Sequence, residues 1–124
     1  MTVHTLTLAA AALAWLMILT ASMLRTRGDL ALATGNRDAL PAPSPVAERA
    51  ERAAKNMLEN LVLFVALVVA AGDRDPSRAR LGAEVFVLAR VAYWPIYLAG
   101  VRVVRTAAWA AGVVGLAILA SAAL

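Results

Sequence analysis

Cysteine is absent from the 124 residues, and histidine occurs once, as His4. No disulfide framework, thiol nucleophile or cysteine metal site is therefore available, and one histidine excludes a histidine cluster. Charge is scarce as well. Only 16% of the residues are Asp, Glu, Lys or Arg, against about a quarter in an ordinary soluble domain. There is no residue set for a Ser/His/Asp triad, a phosphate-cradling glycine loop or a metal site. A nucleophile, if the chemistry needs one, has to arrive with the ligand. Internal repeats are also missing.

What remains is mostly apolar: 62% of the chain is hydrophobic. So short a soluble chain could not hide that much greasy surface, whereas a bilayer solvates it. A helix needs roughly 20 apolar residues to cross the hydrocarbon core, and four segments qualify. They span residues 3–24, 46–71, 79–99 and 106–124, with loop 25–45 between the first two. The reading is an all-α integral membrane four-helix bundle running up-down-up-down. The first segment is expected to be a true span rather than a cleaved leader, because Met1-Thr2-Val3-His4 lacks basic residues and the apolar run is long.

Local signals sharpen the boundaries. Ser44-Pro45 reads as an N-cap followed by proline at the first helical position. The helix that follows, to Ala71, would be about 40 Å long at 1.5 Å per residue, so its polar start should project from the membrane. Glu48/Arg52 and Glu51/Lys55 are i,i+4 pairs with the acid first, the favourable order. Pro95 is expected to kink the third span. In the fourth, Ala108/Gly112 and Ala111/Gly115 offer small residues at spacing four for close helix packing.

The net charge of +4 would suggest nucleic acid in a soluble protein. Here the basic residues lie mostly in the connections, so they report topology and no nucleic-acid partner is expected. Loop one, the polar start of the second helix and the last turn hold eight Lys or Arg; the opposite side holds three, Arg74, Arg78 and Arg80. Positive-inside places loops one and three in the cytoplasm and both termini outside.

Ionisable residues within spans are costly and mark functional sites by default. Arg52, Lys55, Asn56 and Glu59 fall within an arc of roughly 100° on the second helix. Arg90, Tyr93 and Tyr97 share one face of the third. Arg90 lies mid-span and needs a partner; Glu59 is the candidate, with other acceptors open. Several cations, an amide and a carboxylate at one depth suit a small zwitterionic or multiply carboxylated ligand. A nearby arginine would also stabilise a ligand thiolate. The plainer reading makes Arg52, Lys55 and Glu59 a snorkelling, solvated helix end, and Tyr93, Trp94, Tyr97 and Trp109 interfacial aromatics. Glu84 is expected to pair with Arg80, and His4 to sit at the interface without chemistry.

Three strings together resemble the MAPEG family, membrane-associated proteins in eicosanoid and glutathione metabolism. They are Arg52-Ala53-x-x-Asn56-x-x-Glu59, Ala89-Arg90-x-x-Tyr93-x-x-x-Tyr97-x-x-Gly100, and Arg105-Thr106-x-x-Trp109. Gly35-Asn36-Arg37-Asp38-x-x-Pro41 resembles the loop of the bacterial branch, which implies a bacterial inner membrane. The resemblance implies a homotrimer with glutathione, as co-substrate, bound between subunits on the cytoplasmic side. It further implies ligand contacts from Arg25, Arg52, Lys55, Asn56, Glu59, Arg90, Tyr93, Tyr97 and Thr106, and thiol activation by Arg105, with Arg102 as the rival because of a one-residue offset. Lys55 stands where many relatives have arginine, and Trp109 where some have tyrosine.

The activity so implied is that of a glutathione transferase or peroxidase acting on lipophilic electrophiles that arrive through lipid. The alternative is a non-catalytic lipid-binding or scaffolding protein of the same fold. A small four-helix multidrug exporter ranks below both, since such transporters need an acidic residue in the first helix and none is present.

Overall fold

The computed structural model describes residues 1–124. It is all-helical: α1 Val3–Arg25, α2 Leu30–Thr34, α3 Pro45–Ala71, α4 Pro76–Ala99 and α5 Arg102–Ser121. The four long helices are each apolar and long enough to cross a membrane. The short α2 lies in the first connection, capped by Asp29, whose Oδ1 accepts from the Ala31 and Leu32 amides.

Helix ends follow local chemistry. The Ser44 hydroxyl accepts from the Ala47 amide, with Pro45 in the first turn of α3. Gly100 ends α4 at φ 78°, a left-handed conformation that glycine adopts without a Cβ penalty. Pro95 stays inside α4, which continues to Ala99. α5 starts at Arg102, earlier than an apolar window places it, because its charged first turn is helical without being greasy.

Four tertiary ties establish the alternating direction. Arg25 at the end of α1 pairs with Glu51 near the start of α3. Arg49 near the start of α3 reaches the Leu98 carbonyl near the end of α4. At the opposite end, Arg74 and Arg78 donate to the Ala123 and Ser121 carbonyls beyond and at the end of α5. One end of the bundle therefore gathers the end of α1, the start of α3, the end of α4 and the start of α5.

Packing inside the bundle is by small residues and a few large ones. Phe64 of α3 and Phe86 of α4 stack at 4.5 Å between centroids, beside the buried Met17 and Met57. Only 27 of the 124 residues are buried, while Leu8 is 72% and Val103 82% exposed. An apolar outside of that kind belongs in lipid, and the chain is a multi-pass integral membrane protein.

α4 and α5 form the most extensive helix pair. Their closest approach is at Gly82 and Gly115, where an added Cβ would meet backbone atoms at 2.6 Å on either side. The seam on α5 thus runs through Ala108, Gly112 and Gly115 to the buried Leu119, whose backbone meets Gly82. Of the two spacings expected from sequence, Ala108/Gly112 lies on it. Ala111 of the other pair is exposed, because the seam turns with the 3.6-residue period rather than holding spacing four.

The start of α4 yields a pH prediction. Asp75 caps the helix: its Oδ1 accepts from the Arg78 amide at 3.0 Å and the Ser77 hydroxyl at 2.8 Å. The Arg78 amide first, then the Ser77 hydroxyl and the Arg78 charge, hold the Asp75 carboxyl below its ordinary value of 3.8. A lowered folded value means that the cap is intact above 3.8 and is lost as pH falls through that lower value. Amide NMR in micelles should show the Arg78 resonance titrating below pH 3.8, and not in Asp75→Asn. An Arg78 amide indifferent to pH in the native chain refutes the cap.

Candidate functional site

The polar residues of α3 divide between two environments. Ala47, Ala50, Ala53, Ala54 and Met57 are buried and define the inner face of its first half. Asn56 flanks that face and turns inward. Arg52, Lys55 and Glu59 stand on the exposed side, where the Arg52 side chain is 58% accessible and pairs with Glu48 at 3.6 Å.

Arg90 of α4 is only 1% exposed. Its Nη1 donates to the Asn56 Oδ1 at 2.8 Å. The guanidinium lies 5.3 Å from the Phe86 ring centroid and 5.4 Å from that of Tyr93. Across from it is Gly112, where a Cβ would sit 3.2 Å from Nε and Nη2. Those two nitrogens have no hydrogen-bond partner, so the two ring faces supply the remaining stabilisation of the cation. Expected pairing of Arg90 with Glu59 is not what forms. An amide costs less to desolvate than a carboxylate, and Asn56 holds the inward register while Glu59 stays exposed.

A second cluster lies at the α4–α5 turn. Tyr97 meets Tyr93 edge-on at 5.3 Å, and the Arg105 guanidinium lies 4.7 Å from the Tyr97 centroid. A continuous row Asn56–Arg90–Tyr93–Tyr97–Arg105 thus runs from mid-bundle to its polar end. Thr106 is exposed, its hydroxyl donating to the Arg102 carbonyl at 3.1 Å. Arg102 is exposed too. Arg105, half-buried over an aromatic ring, is the better-held of the two candidate arginines.

The third cluster is a groove of about 300 Å³ between α1, the first connection and α3. Arg25, Arg37 and Lys55 line it around one carboxylate, Glu51. Arg25 pairs with Glu51 at 3.4 Å and also donates to the Pro41 carbonyl. Glu51 thereby forgoes the pairing with Lys55 that its spacing suggests, because α1 brings a fixed guanidinium closer. Arg80 and Glu84 do pair, at 2.8 Å. Arg37, held by the Ser22 hydroxyl at 2.9 Å, and Arg49 are the site-end cations that spacing alone did not single out. Arg37 also donates to the Ala33 carbonyl at 3.2 Å, but the contacts that bring both cations to the site end are tertiary.

Within one chain, then, Asn56, Arg90, Tyr93, Tyr97 and Arg105 come together, and Arg25 and Lys55 share a separate groove. Arg52 and Glu59 face away from both. A larger hollow of about 880 Å³ lies at the opposite end, walled by Leu8, Val65, Val68 and Val69, remote from all three clusters. The MAPEG family model matches residues 5–124 of the chain. No curated protein matches it.

Proposed function

Because the chain belongs to the MAPEG family, a family associated with glutathione-related membrane enzymes, we propose that it binds glutathione at its polar end and uses the tripeptide's thiolate against lipophilic electrophiles. The observation that carries this reading is the Tyr93–Tyr97–Arg105 row, a cation fixed by an aromatic face at the end of a bundle that is otherwise apolar. In this reading the site is completed between subunits of a homotrimer. The exposure of Arg52, Lys55 and Glu59, next to the bare apolar flank of Val62 and Val69, supports that arrangement. The polar end faces the cytoplasm of a bacterial inner membrane, with both termini outside.

The donor set fits the ligand. Arg25, Arg52 and Lys55 are cations for two carboxylates, and Glu59 or Glu51 an acceptor for one ammonium. Arg52 supplies a two-pronged fork, while Lys55 supplies a point charge. Arg105 favours the ionised sulfur by charge proximity and lowers its pKa. When bound, glutathione supplies a thiolate that forms a new carbon–sulfur bond or attacks a hydroperoxide oxygen, while the leaving group takes the electron pair and a proton. The chain's own part is to hold the peptide, orient the sulfur and keep the site beside the lipid from which an apolar substrate diffuses.

The test is glutathione thiolate absorbance and conjugation or hydroperoxide reduction by detergent-purified protein. Arg105→Ala should lower the thiolate fraction near neutral pH about tenfold or more, the effect of one opposite charge on an adjacent acid. Native protein showing no thiolate and no turnover above that variant would sink the enzyme reading. The non-catalytic alternative, a lipid-binding or scaffolding protein, is favoured by Lys55 and Trp109 standing where arginine and tyrosine are expected. It predicts glutathione-independent thermal stability.

A further inference from the structure

Arg49 belongs to none of the three clusters described above, and it ties α3 to the end of α4. It lies on α3 one turn before Ala53, half-buried, and its Nε donates to the Leu98 carbonyl at 2.9 Å across 49 residues of chain. That carbonyl is one of the last four of α4, which a helix leaves without intrahelical partners. The turn amides are committed elsewhere: Gly100 donates to Tyr97 at 3.0 Å and Val101 to Ile96 at 3.3 Å. The guanidinium also lies flat against the turn, 3.6 Å from where a Cβ on Gly100 would be.

Two physical consequences follow. The carbonyl end of a helix carries about half a negative charge, and here that end adjoins Tyr97, under the Arg105 guanidinium. Left bare, it would raise the energy of an anion held there. Arg49 forms no salt bridge, so its full charge opposes the α4 dipole. The second consequence is mechanical. The bond fixes the α4–α5 turn to α3, and with it the spacing between the α3 cations and Arg105.

We propose that Arg49 is a positioning residue: it clamps the α4–α5 turn through the Leu98 carbonyl and neutralises the α4 carboxyl end, so that Tyr97 and Arg105 can hold an anionic sulfur. This rests on the glutathione reading. It concerns a residue that touches no ligand in that reading.

The experiment compares native full-length protein with Arg49→Lys, Arg49→Gln and Arg49→Met in detergent. Two readouts are taken, the pH titration of bound-glutathione thiolate absorbance and the hydrogen exchange of the Gly100 and Val101 amides without ligand. The expected result is a thiolate fraction near neutral pH lowered about fivefold in Arg49→Gln and Arg49→Met, the effect of one charge at a helix terminus. Arg49→Lys should restore most of it, and the glutathione dissociation constant should move far less than the thiol pKa. Exchange of the two turn amides should quicken in Arg49→Met. Should Arg49→Met fail to fold, the Lys and Gln variants, which both retain a donor, still decide the charge. Equal thiol pKa in native, Lys and Gln proteins overturns the electrostatic role, and unchanged turn exchange in a folded Arg49→Met overturns the clamp. Native protein that binds no thiolate at all defeats the glutathione reading instead, while the exchange result still judges the clamp.

Discussion

Gly115→Val is expected to yield no stably folded bundle. A Cβ at Gly115 would stand 2.6 Å from the Phe86 amide nitrogen and 2.9 Å from both the Gly82 carbonyl oxygen and the Phe86 Cα. All three are backbone atoms of α4, so no side chain can swing aside. Relief requires separating α4 from α5, the most extensive helix contact in the molecule. Overpacking of ordinary side chains costs about 1–3 kcal/mol, and a rigid backbone obstruction should cost about 3 kcal/mol or more. The check is thermal or detergent-titration unfolding of purified protein. Ala111→Val, at an exposed position one turn earlier, serves as the control and should behave as native. A Gly115→Val protein with the native midpoint would show that the helices do not meet as described. Lipid offers no hydrophobic drive between helices, so close approach at small residues is what holds such pairs.

The second large effect is at Asn56. Its carboxamide is the sole hydrogen-bond partner of a guanidinium that is 1% exposed. Asn56→Leu should destabilise the protein by about 2–3 kcal/mol, the loss of a hydrogen bond to a charged group together with stranding that group. Arg90→Met, by contrast, removes the buried charge while keeping an unbranched apolar stem. Replacing buried ionic groups with apolar ones of similar volume is often close to neutral. The double variant should therefore recover most of the stability lost in Asn56→Leu, leaving a coupling of about 1.5 kcal/mol or more in the four-member cycle. Additive losses would mean that the two side chains act independently. Glu59→Gln measured beside the cycle tests the other pairing, because an Arg90–Glu59 pair would make Glu59→Gln the costly change and Asn56→Leu mild.

Sequence reading succeeded where the signal was local. Ser44-Pro45 is a start signal that acts on an amide three residues on, whereas the Asp75-Pro76 start of α4 lies ahead of the expected 79–99 span because its first turn is polar and an apolar window passes over it. Arg80 and Glu84 sit one turn apart on a single helix, so their pairing follows from spacing. The same reasoning misassigned Glu51, because the i,i+4 rule counts only neighbours on the same helix and Arg25 comes from α1. It likewise treated Arg52, Lys55, Asn56 and Glu59 as a single polar arc. An arc on a helical wheel does not say which edge meets the neighbouring helix, and the edge dividing Asn56 from Glu59 is set by α4. Arg49 drew no notice as a site residue for the related reason that its acceptor is a backbone carbonyl 49 residues away.

Composition and periodicity by themselves determined that this chain is a four-span helical membrane protein, since burying an apolar run of about 20 residues in lipid is a property of the run alone. Which polar side chains meet was decided only when the helices packed. A guanidinium chooses among acceptors by distances of an ångström, and those distances come from where Gly82, Gly112 and Gly115 let the backbones approach.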